Sequence, residues 1–175
     1  MISSSNDHYV GVKLAPFNPI NVACAKIALD MLEVGSLIAG SRFYDLGCGD
    51  GRVLIEACKI NEAIFAVGID YDISLCTRAL ENISNHGCAL QATVIHDNVM
   101  NVNIGDASSL FIYLVPEGIR AIREILLAAL ARDAKIVTYV FSIPDLRPTR
   151  IEVYKGSTKL YLYTKSSVSA FSSTS

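Results

Sequence analysis

The residues best suited to chemistry lie in one stretch, Phe43-Tyr44-Asp45-Leu46-Gly47-Cys48-Gly49-Asp50-Gly51-Arg52. A short β-prone run ends in glycines and opens into a helical pattern. Glycines allow positive φ and let a ligand approach the main chain. The start of the next helix offers free N–H groups and the positive end of its dipole. A dinucleotide fingerprint spaces its glycines G-x-G-x-x-G, whereas Gly47, Gly49 and Gly51 read G-x-G-x-G. Asp45, two positions before the first glycine, would repel a pyrophosphate and suits a ligand with a positive group. Two more acids close the next apolar runs: Asp70 after Val67-Gly68-Ile69, and Asp97 after Val94-Ile95-His96. An acid ~20 residues or more past such a loop accepts hydrogen bonds from ribose hydroxyls. Carboxylates on three consecutive strand tips fit an ammonium, a ribose and an adenine amino group, with Asn98 the alternative to Asp97 at the adenine. That combination is S-adenosylmethionine rather than NAD.

The elements that must carry these residues alternate. Asn21–Val34 has apolar residues near helical spacing. Arg42–Leu46 reads as a strand, Gly51–Lys59 as a helix, and Ile64–Ile69 as a strand buried on both faces. Asp72–Asn85 reads as a helix capped by Asp72 or Ser74, and Leu90–Ile95 and Ser109–Leu114 as strands. Glu117–Ala131 reads as one helix after Pro116, and Lys135–Phe141 as a strand. Arg150–Tyr154 and Lys159–Thr164 flank Lys155-Gly156-Ser157 as a hairpin. Strand–helix alternation predicts an α/β fold with a Rossmann-like, doubly wound parallel sheet, and the hairpin makes one strand antiparallel. The expected layout is a flexible lead over 1–14, one domain over 15–165 and a disordered serine-rich tail over 166–175.

Composition excludes other classes. The chain has 175 residues, 51% hydrophobic and 18% charged, which argues against disorder. Mean hydropathy is +0.39, yet no uncharged apolar run of ~18 residues exists, so no membrane span is expected. A net charge of −2 gives no electrostatic reason to expect nucleic acid. The five cysteines form no C-x-x-C and read as buried thiols in a reducing compartment. His8, His86 and His96 are scattered, and no metal site is expected. The lead has no apolar signal core, its first arginine is Arg42 and Asp7 comes early. These features favour a cytoplasmic location over a mitochondrial one.

Asp45–Gly51, with Asp70 and Asp97, resembles the cofactor motifs of the class I, seven-strand, S-adenosylmethionine-dependent methyltransferases over Phe43–Leu114. The resemblance implies a three-layer sheet of order 3-2-1-4-5-7-6 with strand 7 antiparallel. A narrower likeness is to a small family of protein-lysine methyltransferases acting on the ADP/ATP carrier and the ATP synthase c-subunit. Ala15-Pro16-Phe17-Asn18-Pro19 looks like that family's P-F-V-P. Asp45–Val53 looks like its D-[IL]-G-[SC]-G-D-G-R-[IV], and Val115-Pro116-Glu117 like its V-P loop. Asp133–Val137 and Phe141–Pro148 also fall in register, although Leu146-Arg147 stands where the family usually has tryptophan. The resemblance implies methylation of a protein lysine, with a small molecule or RNA, or binding without catalysis, as alternatives. It implies cofactor contacts from Pro16, Phe17, Asp45, the Gly47-Cys48-Gly49-Asp50-Gly51 loop, Asp70, Tyr71, Asp97, Asn98 and Leu114. Phe17, Tyr113 and Glu117 are the catalytic candidates. Several have plainer readings: Asp50 as a helix cap, Tyr71 as a solvent-facing loop residue, Pro16–Pro19 as a helix lead, and Glu117 as a favourable charge at a helix start.

Overall fold

The structure is a computed structural model and describes residues 18–169. Pro16, Phe17 and the expected flexible lead lie outside the described residues, as do residues 170–175. In chain order the elements are α1 (Val22–Met31), β1 (Arg42–Leu46), α2 (Arg52–Ile60), β2 (Phe65–Asp70), α3 (Ile73–Asn85), β3 (Ala92–His96) and β4 (Ala107–Ile112). They continue with α4 (Pro116–Ala121), α5 (Arg123–Ala131), β5 (Lys135–Tyr139), β6 (Arg150–Tyr154), β7 (Thr158–Tyr163) and α6 (Lys165–Ser169). The strands form one seven-stranded sheet in the order β3-β2-β1-β4-β5-β7-β6. β1 to β5 run parallel, and β7 is antiparallel to both β5 and β6. The expected order and the expected antiparallel strand are both present.

Period-two alternation explains why the strands read as continuous apolar runs. Phe43, Ala66, Phe111 and Val137 turn to one face, where α1, α2 and α3 cover them. Tyr44, Leu46, Ile69, Ile112 and Ile136 turn to the other, against Ile119, Leu126 and Leu130 of α4 and α5. Both faces are buried, so neither needs polar residues. This accounts for the high mean hydropathy without a membrane span. Among the described residues no helix is long and apolar enough to cross a membrane.

Three local expectations need correction. Glu117–Ala131 is two helices, because Ile122 leaves helical backbone at φ −99° and ψ 7°. The Arg123 side chain at the break donates to the Pro144 carbonyl, a contact that local periodicity does not reveal. The strand expected to reach Phe141 stops at Tyr139, where Val140 adopts φ +70°. The tail expected to be disordered from Ser166 begins with the short helix α6, and Ser167 is buried there.

Candidate active site

The carboxyl edge of the parallel strands gathers most of the expected residues. Gly47, Gly49 and Gly51 have φ of +84°, +53° and +78°, so the turn out of β1 uses backbone that other residues avoid. The turn is fastened to β2. The Gly47 and Cys48 amides donate to the Ile69 carbonyl at 2.8 and 3.1 Å, and the Gly49 amide donates to Asp70 Oδ2 at 2.9 Å. Gly68 makes this approach possible. A Cβ there would lie 2.6 Å from Cys48 Sγ and 2.7 Å from Leu54 Cδ1, so the loop and α2 sit directly on the β2 backbone. Leu114 closes the turn from the β4 side, since a Cβ on Gly47 would meet its Cδ2 at 2.9 Å.

The three acids have three environments. Asp45 is 2% exposed, and no described residue donates a hydrogen bond to its carboxylate. Burial, then the charges of Asp70 and Asp50, push its pKa well above the usual carboxylate range. Asp70 is also buried, but its oxygens accept from the Gly49 amide at 2.9 Å and the Asp72 amide at 3.0 Å. Asp97 is half-buried and accepts from the Asn98 amide and the Asn101 side chain. Its own amide donates to the Asp70 carbonyl at 3.0 Å, which holds the second and third strand tips together. The Asn98 side chain caps the short turn Val99–Asn101. Asp72 caps α3, accepting from the Ser74 and Leu75 amides. Tyr71 follows β2, is exposed over a little under half of its surface, and offers its carbonyl to His96 Nε2 at 3.0 Å.

Asp50 is engaged differently. Arg52 forks onto its carboxylate, Nε to Oδ1 at 2.9 Å and Nη2 to Oδ2 at 2.6 Å. Burial would raise the Asp50 pKa, but the Arg52 hydrogen bonds and charge bring it below the usual range. Cys48 is buried, and burial plus the nearby Asp45 and Asp70 push its thiol well up. It packs as a neutral group and is no nucleophile. All five cysteines are buried and unpaired.

On the other side of the edge, Tyr113 packs edge-to-face on Tyr139, with ring centroids 4.7 Å apart. Its hydroxyl accepts from the Asn18 side chain at 3.2 Å. Glu117 stands apart from the acid cluster, exposed in the first turn of α4 and 3.6 Å from Arg120. Sequence reasoning missed Tyr139, Asn18 and the Arg52 fork. The Arg52 fork has a visible signal, the D-G-R spacing. The pairing of Asn18 with Tyr113 spans 95 positions and has none.

The site can be tested for S-adenosylmethionine. A buried carboxylate with no donor fits an ammonium. Asp70, fixed by two amides, keeps acceptor capacity for ribose hydroxyls. The fold and this acid-tipped edge define a class, the S-adenosylmethionine-dependent methyltransferases. The ANTKMT methyltransferase domain family matches residues 45–150, and the chain belongs to it. A protein-lysine N-methyltransferase of Saccharolobus islandicus (strain REY15A) is 30% identical over 141 residues, covering 79% of this chain and 88% of that protein. The adenine nucleotide translocase lysine N-methyltransferase of Mus musculus is 25% identical, covering 75% of this chain and 57% of that protein. An RNA methyltransferase from Salinibacter ruber, crystallised with S-adenosyl-L-homocysteine, matches with a TM-score of 0.77 and 26% identity. That match covers 84% of this chain and 93% of that one. The chain is a methyltransferase, and S-adenosylmethionine is its cofactor.

Proposed function

We propose that the protein methylates the ε-amine of a lysine in a protein substrate. The carrying observation is the match to a protein-lysine N-methyltransferase over 88% of that protein's length. The bound cofactor supplies a sulfonium methyl already activated toward an amine. The chain's own residues bind, orient and exclude water. Asp45 would hold the ammonium, Asp70 the ribose hydroxyls, and Asp97 with Asn98 the adenine edge. Tyr71 would flank the adenine. The backbone of Gly47, Cys48, Gly49, Asp50 and Gly51 would line the cofactor, with Leu114 closing the far side.

Ribose at β2 and ammonium at β1 direct the transferred methyl toward the β1–β4 side. There Tyr113 presents an aromatic wall, and Phe17, outside the described residues, is close in sequence to Asn18, which bonds the Tyr113 hydroxyl. The tyrosine oxygen retains a lone pair that can accept from a lysine N–H and orient it. An apolar surround favours the neutral amine needed for attack, and alignment supplies several kcal/mol of the barrier reduction. The exposure of Glu117 and its pairing with Arg120 support a helix-start role over a base. Five buried, unpaired thiols support an intracellular setting.

One observation favours RNA as a second reading, the Salinibacter ruber structure. The test is transfer of labelled methyl from S-adenosylmethionine into a proteome extract, split into protein, RNA and small-molecule fractions. Label in protein supports the proposal. Label in RNA or small molecules alone refutes it.

A further inference from the structure

We propose that Arg52 is a positioning residue for methyl transfer: it holds residues 18–20 as a strap across the edge between the glycine loop and the end of β4. Arg52 Nε and Nη2 grip the Asp50 carboxylate, and Nη1 donates to the Ile20 carbonyl at 3.1 Å. The Asp50 carbonyl in turn accepts from the Asn82 side chain of α3 at 2.9 Å, so the fork has a rigid base. Two residues upstream of Ile20, Asn18 is held by the Tyr113 hydroxyl. One residue downstream, the Asn21 side chain accepts from the Ala23 amide and from the Tyr154 hydroxyl. Residues 18–21 are thus fastened to three elements that are remote in sequence.

Two residues of chain span at most ~7 Å. The Arg52 and Tyr113 anchors are therefore close neighbours, and the strap crosses the gap between them. This is the gap to which the proposed function assigns the methyl group and the incoming amine, and the inference rests on that reading. The planar guanidinium suits the task, since it serves a carboxylate bidentately and still has a donor for a carbonyl. Lysine's compact ammonium lacks the planar fork that serves both groups in this geometry. The fork also engages Asp50, which leaves Asp45 as the carboxylate for the cofactor ammonium. Arg52 need not touch cofactor or substrate; it acts through Ile20.

The test begins without cofactor. Hydrogen exchange of the cofactor-free protein is compared for wild type, Arg52→Ala, Arg52→Lys and Tyr113→Phe. Tyr113→Phe keeps the ring on Tyr139 and removes only the hydroxyl acceptor. In Arg52→Ala, the Ala23 and Ala25 amides, which bond to Asn21 at the end of the strap, should exchange about tenfold to a hundredfold faster, the equivalent of one charge-assisted hydrogen bond. Amides of β1 and β2 should not change. Arg52→Lys should resemble Arg52→Ala, and Tyr113→Phe should act at the same amides more weakly. Methyl transfer should then lose kcat by about tenfold or more, while S-adenosylmethionine affinity falls less than about threefold, the split expected of a positioning role. Unchanged exchange at Ala23 and Ala25 overturns the strap. So does faster exchange throughout the sheet, or a loss confined to cofactor affinity. If exchange behaves as expected but no lysine is methylated, the strap stands and the proposed substrate fails.

Discussion

Asp45→Asn tests the electrostatic reading of the site in two opposed directions. Asp45 is 2% exposed, lies beside Asp70, and has no donor among the described residues. Its folded-state pKa is raised, mainly by burial, so the native state binds this proton more tightly than the unfolded chain does. The sign follows from linkage. The group's contribution to stability is greatest below the unfolded pKa of ~3.9 and is lost as pH rises through the folded value. Above that value Asp45 is a destabilising charge in the cofactor-free protein. Replacing it with the near-isosteric Asn should stabilise the cofactor-free protein by about 1–2 kcal/mol, since an unsatisfied buried amide costs less than a charge. For a chain of this size that raises Tm by about 2–8 °C.

The same substitution should weaken S-adenosylmethionine binding. Removing one charge-assisted hydrogen bond costs about 2–3 kcal/mol, or about thirtyfold to 150-fold in Kd. Wild-type binding should tighten as pH rises through the raised Asp45 pKa, with proton release to buffer, by at most about tenfold per pH unit. The variant should lose that proton release. Calorimetry in two buffers of different ionisation enthalpy reads both effects, and a thermal melt reads stability. A variant that is less stable and binds the cofactor as tightly as wild type would refute the assignment of Asp45 to the ammonium.

Three further outcomes follow from the same geometry. Asp70→Ala removes the acceptor for the Gly49 and Asp72 amides as well as the proposed ribose partner; cofactor affinity should fall by about 2–4 kcal/mol, and equal calorimetric binding by both proteins would sink the ribose assignment. Gly68→Ala would place a Cβ 2.6 Å from Cys48 Sγ, so the loop must shift; a loss of about 1–3 kcal/mol by urea unfolding is expected, together with weaker cofactor binding, and a neutral result would contradict the tight loop-on-strand packing. Val140, at φ +70°, is β-branched in backbone that costs such residues roughly 1–2 kcal/mol. Val140→Asn should raise the free energy of unfolding by about 1 kcal/mol, read as a higher urea midpoint, and a lowered midpoint would show that its side-chain packing outweighs the strain.

Much of this arrangement was legible in the sequence, for physical reasons. Strands buried on both faces read as apolar runs, and the glycine turn can lie only at the end of β1. Asp45, Asp70 and Asp97 therefore had to share one edge. The Asp72 cap was readable because its spacing to the Ser74 amide is local. What stayed hidden depends on distant contacts. The break at Ile122 coincides with Arg123 reaching Pro144. The stop at Tyr139 is followed by a Val140 amide bonded to the Lys159 carbonyl, which comes from the returning hairpin strand. The Tyr113–Tyr139 pair joins the ends of β4 and β5, and no periodicity in either segment announces it. The sequence separates Asp45, Asp70 and Asp97 by position only; their unequal burial and hydrogen bonding came from the fold.

In the proposed reaction this acid-tipped edge delivers a methyl group to a lysine nitrogen. The most direct measurement is the chemical identity of the acceptor. Protein labelled by the purified enzyme and methyl-labelled S-adenosylmethionine is hydrolysed to amino acids and resolved against methyllysine, methylarginine and methylhistidine standards. Label is expected in methyllysine, abolished by Asp70→Ala. Label in another amino acid, or none while calorimetry still shows cofactor binding, would contradict it.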